Sequence, residues 1–186
     1  MSTCVDVSRE TEERFLRYEA LLAKWQGAIN LVGPDTLKDS RSRHIDDSRQ
    51  LLPFLPEGPG ALFDLGSGAG FRGMVRAMLR PNLAVYLIES DQKKCAFLRT
   101  VSRETQTPVE IVCARIEQAA SGAAKTERDR ALPMPSVITA RALAPLRVLF
   151  DYCHEWAGQN PDLLLLFLKG AQAESEIEDA RAAYDF

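Results

Sequence analysis

Apolar residues between positions 9 and 29 recur at three- and four-residue steps: Phe15, Tyr18, Leu22, Trp25 and Ile29. That spacing lines one face of an α-helix. Ser8 stands where it can cap the helix start, and Gly33-Pro34 breaks the pattern. A second helix is predicted over 41–54, with Ile45, Leu51 and Leu52 on its apolar stripe. Leu55-Pro-Glu-Gly-Pro-Gly60 reads as a linker. Beyond it the rhythm changes, and short apolar runs alternate with helical periods. Strands are predicted over 61–65, 84–89, 109–112, 136–139 and 163–168, and helices over 71–79, 91–105, 146–156 and 172–184. The polar stretch 121–130 predicts a mobile loop or a frayed helix. Alternation of this kind implies βαβ units and a mostly parallel α/β sheet covered on both faces. Residues 1–58 are expected to form a helical extension, and 59–186 an α/β domain in one compact unit with it.

Composition narrows the class. The 186 residues suit one domain with a good core; 46% are apolar and 26% charged, which is ordinary for a soluble globular chain. A net charge of −3 excludes a global basic field, so any nucleic-acid contact must come from local patches. Cys4, Cys95, Cys113 and Cys153 form no Cys-x-x-Cys pair, and His44 and His154 are the two histidines. A zinc site is therefore not expected, and the cysteines read as reduced and mostly buried. The longest apolar run, 163–168, is far too short to span a bilayer. No signal-peptide pattern stands at the start, so a cytoplasmic location and no membrane contact are expected.

The most specific signal is Ala61-Leu-Phe-Asp-Leu-Gly-Ser-Gly-Ala-Gly70. A buried strand runs straight into Gly66, Gly68 and Gly70. Alternate glycines let the backbone turn sharply and approach a ligand, and the helix that follows offers free N–H groups. Such a turn suits the polar part of a nucleotide-like cofactor. Gly68 to Gly73 also satisfies the dinucleotide pattern G-x-G-x-x-G, with Glu89 about 20 residues on. Asp64 lies two residues before Gly66, giving Asp-x-Gly-x-Gly-x-Gly, which resembles the first motif of class I methyltransferases. That favours S-adenosylmethionine over NAD. The alternative is a glycine-rich turn without a ligand.

Five predicted strand ends converge where doubly wound sheets bind ligands. They carry Asp64 with the glycine loop, Glu89, Arg115 to Glu117, Arg141, and Lys169-Gly170. Glu89 is suited to accept hydrogen bonds from ribose hydroxyls, the alternative being a helix-capping surface acid. Glu117 and its neighbours either flank an adenine or form a solvated helix start. Arg141 has the planar cation to stack on a base or grip phosphate, or it serves a structural ion pair. Lys169 either contacts RNA phosphate or is simply the first exposed residue after an apolar strand. Arg41, Arg43, His44 and Arg49 make a basic cluster interrupted by Asp46 and Asp47, and Lys93, Lys94, Arg99 and Arg103 make a second positive surface.

Taken together these motifs resemble the RsmG (GidB) family, bacterial methyltransferases that modify a guanine N7 in small-subunit ribosomal RNA. The resemblance runs through Trp25 with Ile29-Asn-Leu-Val32, Arg43-His-Ile45 with Asp47-Ser48, Asp64 to Phe71, Glu89 to Leu98, Arg115-Ile-Glu117, Thr139-Ala-Arg-Ala-Leu143 and Phe167-Leu-Lys-Gly170. It implies the Rossmann-like class I fold, S-adenosylmethionine as cofactor, and 16S rRNA or the small ribosomal subunit as partner. It further implies cofactor contacts from Gly66, Phe71, Ile116, Glu117 and Arg141. Guanine N7 carries an exposed lone pair, so catalysis by alignment and electrostatics is expected, without a general base. Two departures stand out. Arg72 occupies a position where the family has proline, and Arg76 one where it has an apolar residue. The family's final antiparallel strand pair is expected to be missing, which would leave the fifth strand's edge open, favour self-association and weaken activity. The alternatives are a small-molecule methyltransferase, or a truncated cofactor- or RNA-binding protein with little activity, with an NAD-linked enzyme further off.

Overall fold

The computed structural model describes residues 7–31, 51–141 and 143–186. Helix α1 spans Arg9–Gln26, and the Ser8 side chain accepts the Thr11 backbone N–H as its cap. Phe15, Tyr18 and Leu22 form its buried stripe. The second predicted helix lies mostly outside the described residues. Its described end is a 3-10 turn at Leu52–Phe54, since Pro53 and Pro56 lack the N–H groups that a longer helix would need.

Five strands follow: β1 Gly60–Leu65, β2 Leu83–Glu89, β3 Glu110–Cys113, β4 Val137–Arg141 and β5 Leu164–Leu168. They alternate with α2 Phe71–Leu79, α3 Gln92–Glu104, α4 Ile116–Ala120, α5 Leu146–Gln159 and α6 Ala173–Arg181. Every neighbouring pair is parallel, in the order β3-β2-β1-β4-β5. The order reverses between β1 and β4. Loops leaving those two strands diverge there and open a crevice at the carboxyl ends.

Period-two alternation along each strand feeds two cores. Leu62, Leu87 and Ile111 point to the side covered by α1, α2 and α3, where Phe15, Tyr18, Met74 and Phe97 are buried. Phe63, Leu65, Ile88 and Ile138 point to the side of α4 and α5, against Leu149, Cys153 and Trp156. Each fully buried large apolar side chain contributes about 1.5–3 kcal/mol. Helix α1 is thus part of the same core as the sheet. β5 sits at the sheet edge with all five residues half-buried.

Three elements differ from expectation. β4 runs two residues beyond its predicted end, so Arg141 ends the strand rather than following it. The helix start allowed at Glu117 is the short helix α4, which the periodicity does not delimit because Ile116 and Ala119 are too few apolar positions to show a period. Residues 121–130 form a closed turn rather than a frayed helix. Thr126 N–H donates to Arg130 O at 2.9 Å, Lys125 bridges Ala131, and an Arg99–Glu127 ion pair fastens the turn to α3. Among the described cysteines, Cys95 and Cys153 are buried and Cys113 is exposed.

Candidate cofactor cleft

The strand ends enclose a cleft of about 300 Å³, at the lower end of small-molecule sites. Gly66, Gly68, Glu89, Ile116, Glu117 and Arg141 all line it. The glycine loop is a tight turn in which Gly66, Gly68 and Gly70 have φ of +59°, +58° and +84°, the left-handed region that side chains resist. Ser67 N–H donates to Ile88 O at 3.1 Å and Gly70 N–H to Ser67 O at 2.7 Å, which locks the turn to β2. Tyr18 supports it from behind, its hydroxyl donating to Ala69 O. Burial first, and the Asp64 charge second, push the Tyr18 phenol well up, so it stays a donor. A Cβ placed on Gly68 would meet Gly66 O at 3.8 Å and nothing nearer. The loop's backbone is therefore open to the cleft.

Glu89 faces that loop from the end of β2. Its Oε2 accepts Gly68 N–H at 2.8 Å and its Oε1 accepts Asp91 N–H at 2.9 Å. The carboxylate thus holds loop and turn together, and each oxygen keeps a second lone pair for a ligand hydroxyl. Asp91 caps α3 by accepting the Lys93 and Lys94 N–H groups at 2.8 and 3.1 Å.

Three residues assigned to the cofactor from the sequence lie elsewhere. Asp64 is fully buried and accepts from Thr139 Oγ1 at 2.8 Å and Arg72 Nε at 3.3 Å. Gly70 caps α2 from behind the cleft, where a Cβ would lie 2.4 Å from Leu98 Cδ2. Phe71 packs in the core with its ring centroid 5.3 Å from that of Tyr18. These three shape the loop without lining the cleft. Arg72 and Arg76 account for Asp64. Both turn inward, and Arg76 Nη1 donates to Thr139 Oγ1 at 3.3 Å. Burial lowers the Arg76 guanidinium to about 10, against the nearby Asp64 charge that raises it.

The RNA assignments divide as well. Lys94 lines the cleft and Lys93 is exposed beside it on α3. Lys169 does not present a free ammonium at the rim: it pairs with Glu176 at 2.5 Å and donates to Ala144 O at 2.8 Å. Arg43 and His44 lie outside the described residues. Sequence reasoning missed Ser90, Leu143 and Tyr152 in the cleft wall. Tyr152 had a faint signal, one helical turn from Leu149 on α5. Among the described residues no group of three or more His, Cys, Asp or Glu side chains is arranged to hold a metal, and no helix is long and apolar enough to cross a membrane.

Fold and cleft together define a Rossmann-like α/β domain of the class I methyltransferase type. The C-terminal domain of a precorrin-6Y C5,15-methyltransferase from Rhodobacter capsulatus matches it with TM-score 0.55 and 16% identity over 84% of this chain and 76% of that one. Magnesium protoporphyrin IX methyltransferase from Synechocystis, solved with bound SAM, matches with TM-score 0.54 and 13% identity over 96% and 88%. At such identities the likeness is one of fold. The chain belongs to the GidB family, rRNA small subunit methyltransferase G, whose model matches residues 11–186. A relative of that name from Paramagnetospirillum magneticum is 49% identical over 172 residues, covering 92% of this chain and 77% of the relative. Another from Parvibaculum lavamentivorans is 44% identical over 188 residues, covering 100% and 78%.

Proposed function

We propose that the chain is an S-adenosylmethionine-dependent methyltransferase that modifies N7 of a guanine in 16S ribosomal RNA. One observation carries the reading: a family match over 11–186 coincides with a cleft in which an open glycine loop faces a strand-end carboxylate. The cleft also fits the cofactor. The backbone at Gly68 is open to a ligand, and Glu89 retains acceptor capacity. Bound there, S-adenosylmethionine would supply an electrophilic methyl on a sulfonium.

The remaining chemistry belongs to the chain. Glu89 accepts the ribose hydroxyls, and Ile116 gives one face of the adenine an apolar wall while Glu117 borders its edge. Arg141, at the end of β4, offers a permanent planar cation beside the reacting atoms. It cannot take up a proton and so acts by stacking, phosphate contact or field. None is needed as a base, because guanine N7 attacks through a free lone pair. Alignment of that lone pair with the methyl is the main task. Arg43, His44, Lys93 and Lys94 bring local positive charge to the RNA, whose fold supplies the rest of recognition. A cytoplasmic location goes with this substrate.

The test is methyl transfer itself. The chain is incubated with labelled S-adenosylmethionine and intact small subunits, naked 16S rRNA or a metabolite extract. Label recovered as 7-methylguanosine supports the reading, and label confined to small molecules overturns it.

A further inference from the structure

Helix α5 begins without a cap of its own. Its N-cap is Pro145, which has no side-chain acceptor, although a helix start leaves free N–H groups. A carboxylate from 30 residues away fills the place: Leu146 N–H donates to Glu176 Oε2 at 2.7 Å. The same oxygen receives the Lys169 ammonium at 2.5 Å. That ammonium also donates to Ala144 O at 2.8 Å. The turn 144–146 is thereby clamped at one carbonyl and one amide by two side chains from beyond β5. Both are sheltered, with side-chain exposures of 14% and 21%, so the pair is screened less than an exposed one.

The clamped turn leads directly out of the cleft wall. Arg141 and Leu143 line the cleft. Leu143 also presses on the glycine loop, where a Cβ on Gly66 would stand 2.6 Å from its Cδ1. Leu143 is bonded directly to Ala144, so the clamped turn sets where Leu143 meets that loop. Lys169 and Glu176 are not among the residues lining the cleft.

Resting on the reading of the cleft as the S-adenosylmethionine site, we propose that Lys169 and Glu176 are positioning residues that fix the 144–146 turn and, through it, the Arg141–Leu143 wall. The pair acts as one unit: the carboxylate caps α5, and the ammonium holds both the carboxylate and the Ala144 carbonyl. Lys169 thus works on the protein backbone rather than on RNA phosphate, and α6 becomes a strut for the catalytic wall.

The experiment measures amide hydrogen exchange at Leu146, cofactor affinity and kcat on the full chain, well below the melting temperature. Glu176→Met and Lys169→Met should each speed Leu146 exchange and lower kcat/KM by about tenfold, the scale expected when a group in the cleft is slightly misplaced. Glu176→Gln, which keeps an acceptor, should recover part of the loss. The double substitution should cost no more than the worse single one. Glu178→Gln, on the same helix, should behave as wild type. Unchanged Leu146 exchange in Glu176→Met would overturn the clamp. Faster exchange with unchanged affinity and kcat would overturn its positioning role, as would an equal loss in Glu178→Gln. Failure of the wild-type chain to bind S-adenosylmethionine would defeat the reading of the cleft instead, and the exchange result would still decide the clamp.

Discussion

Two clusters of charged side chains brace the carboxyl end of the sheet, and they are built in opposite ways. Under the glycine loop, Asp64, Arg72, Arg76 and Thr139 are all buried, with two guanidiniums against one carboxylate. Three of their atoms, Asp64 Oδ2 and Arg76 Nε and Nη2, find no hydrogen-bond partner among the described residues. Across the crevice, Lys169 and Glu176 balance one charge with one, and each also serves a backbone group. Desolvation is costly for the first cluster and moderate for the second. Burial alone therefore does not make an ion cluster stabilising; matched charge and filled hydrogen bonds do.

The largest effects should come from unbalancing the buried cluster. Asp64→Asn removes the one carboxylate that faces the two buried guanidiniums among the described residues and should cost about 3–5 kcal/mol in denaturant melts. Arg76→Met should do the reverse. It removes a desolvated cation with two donor nitrogens that find no partner among the described residues, and stability should rise by about 1–3 kcal/mol. A loss on Arg76→Met would show that the excess cation is held more favourably than its contacts indicate.

Substitution in the loop above the cluster should separate fold from function. Gly68→Val forces a β-branched residue to φ of +58°, a strain of about 1–3 kcal/mol. The chain should remain folded by circular dichroism and lose cofactor binding. Arg141→Ala removes a half-buried side chain at the rim, so the melting temperature should move by only a few degrees while turnover falls sharply. A large drop in stability with normal turnover would assign Arg141 to an ion pair.

Neutral buried groups give the smallest effect at neutral pH and a control for the charged ones. Burial pushes the Cys153 thiol up to about 12, and burial with the neighbouring Cys113 thiol pushes Cys95 up to about 12. An unfolded thiol ionises near about 8.5. The native state thus holds protons that the unfolded chain releases. Stability should be full below about pH 8.5 and decline as pH rises toward 12. Urea melts between neutral and alkaline pH read this directly. Exposed Cys113 should alkylate ahead of Cys95 and Cys153.

The sheet was legible from the sequence because its signals are local. Apolar runs of strand length, followed at once by glycine or by an acid, mark β1 and β2 within a residue or two. The glycine turn and the acid that faces it were legible for the same reason, as Gly66, Gly68 and Glu89 show. What depends on side chains meeting across the fold was not. Asp64 reads as a ligand because its motif position is right, and only the inward turn of Arg72 reveals its partner. Lys169 reads as a free cation because Glu176 stands seven residues further on with no local pattern to connect them. Tyr152 enters the cleft from α5 by the packing of that helix, which periodicity alone does not place.

Calorimetric titration tests most directly whether the glycine loop and Glu89 form an S-adenosylmethionine site, with S-adenosylmethionine and NAD offered separately to the wild-type chain and to Gly68→Val. Saturable one-to-one binding of S-adenosylmethionine to the wild type, none to Gly68→Val and none of NAD to either is the predicted result. Binding of NAD in its place, or equal S-adenosylmethionine affinity in both chains, would contradict it.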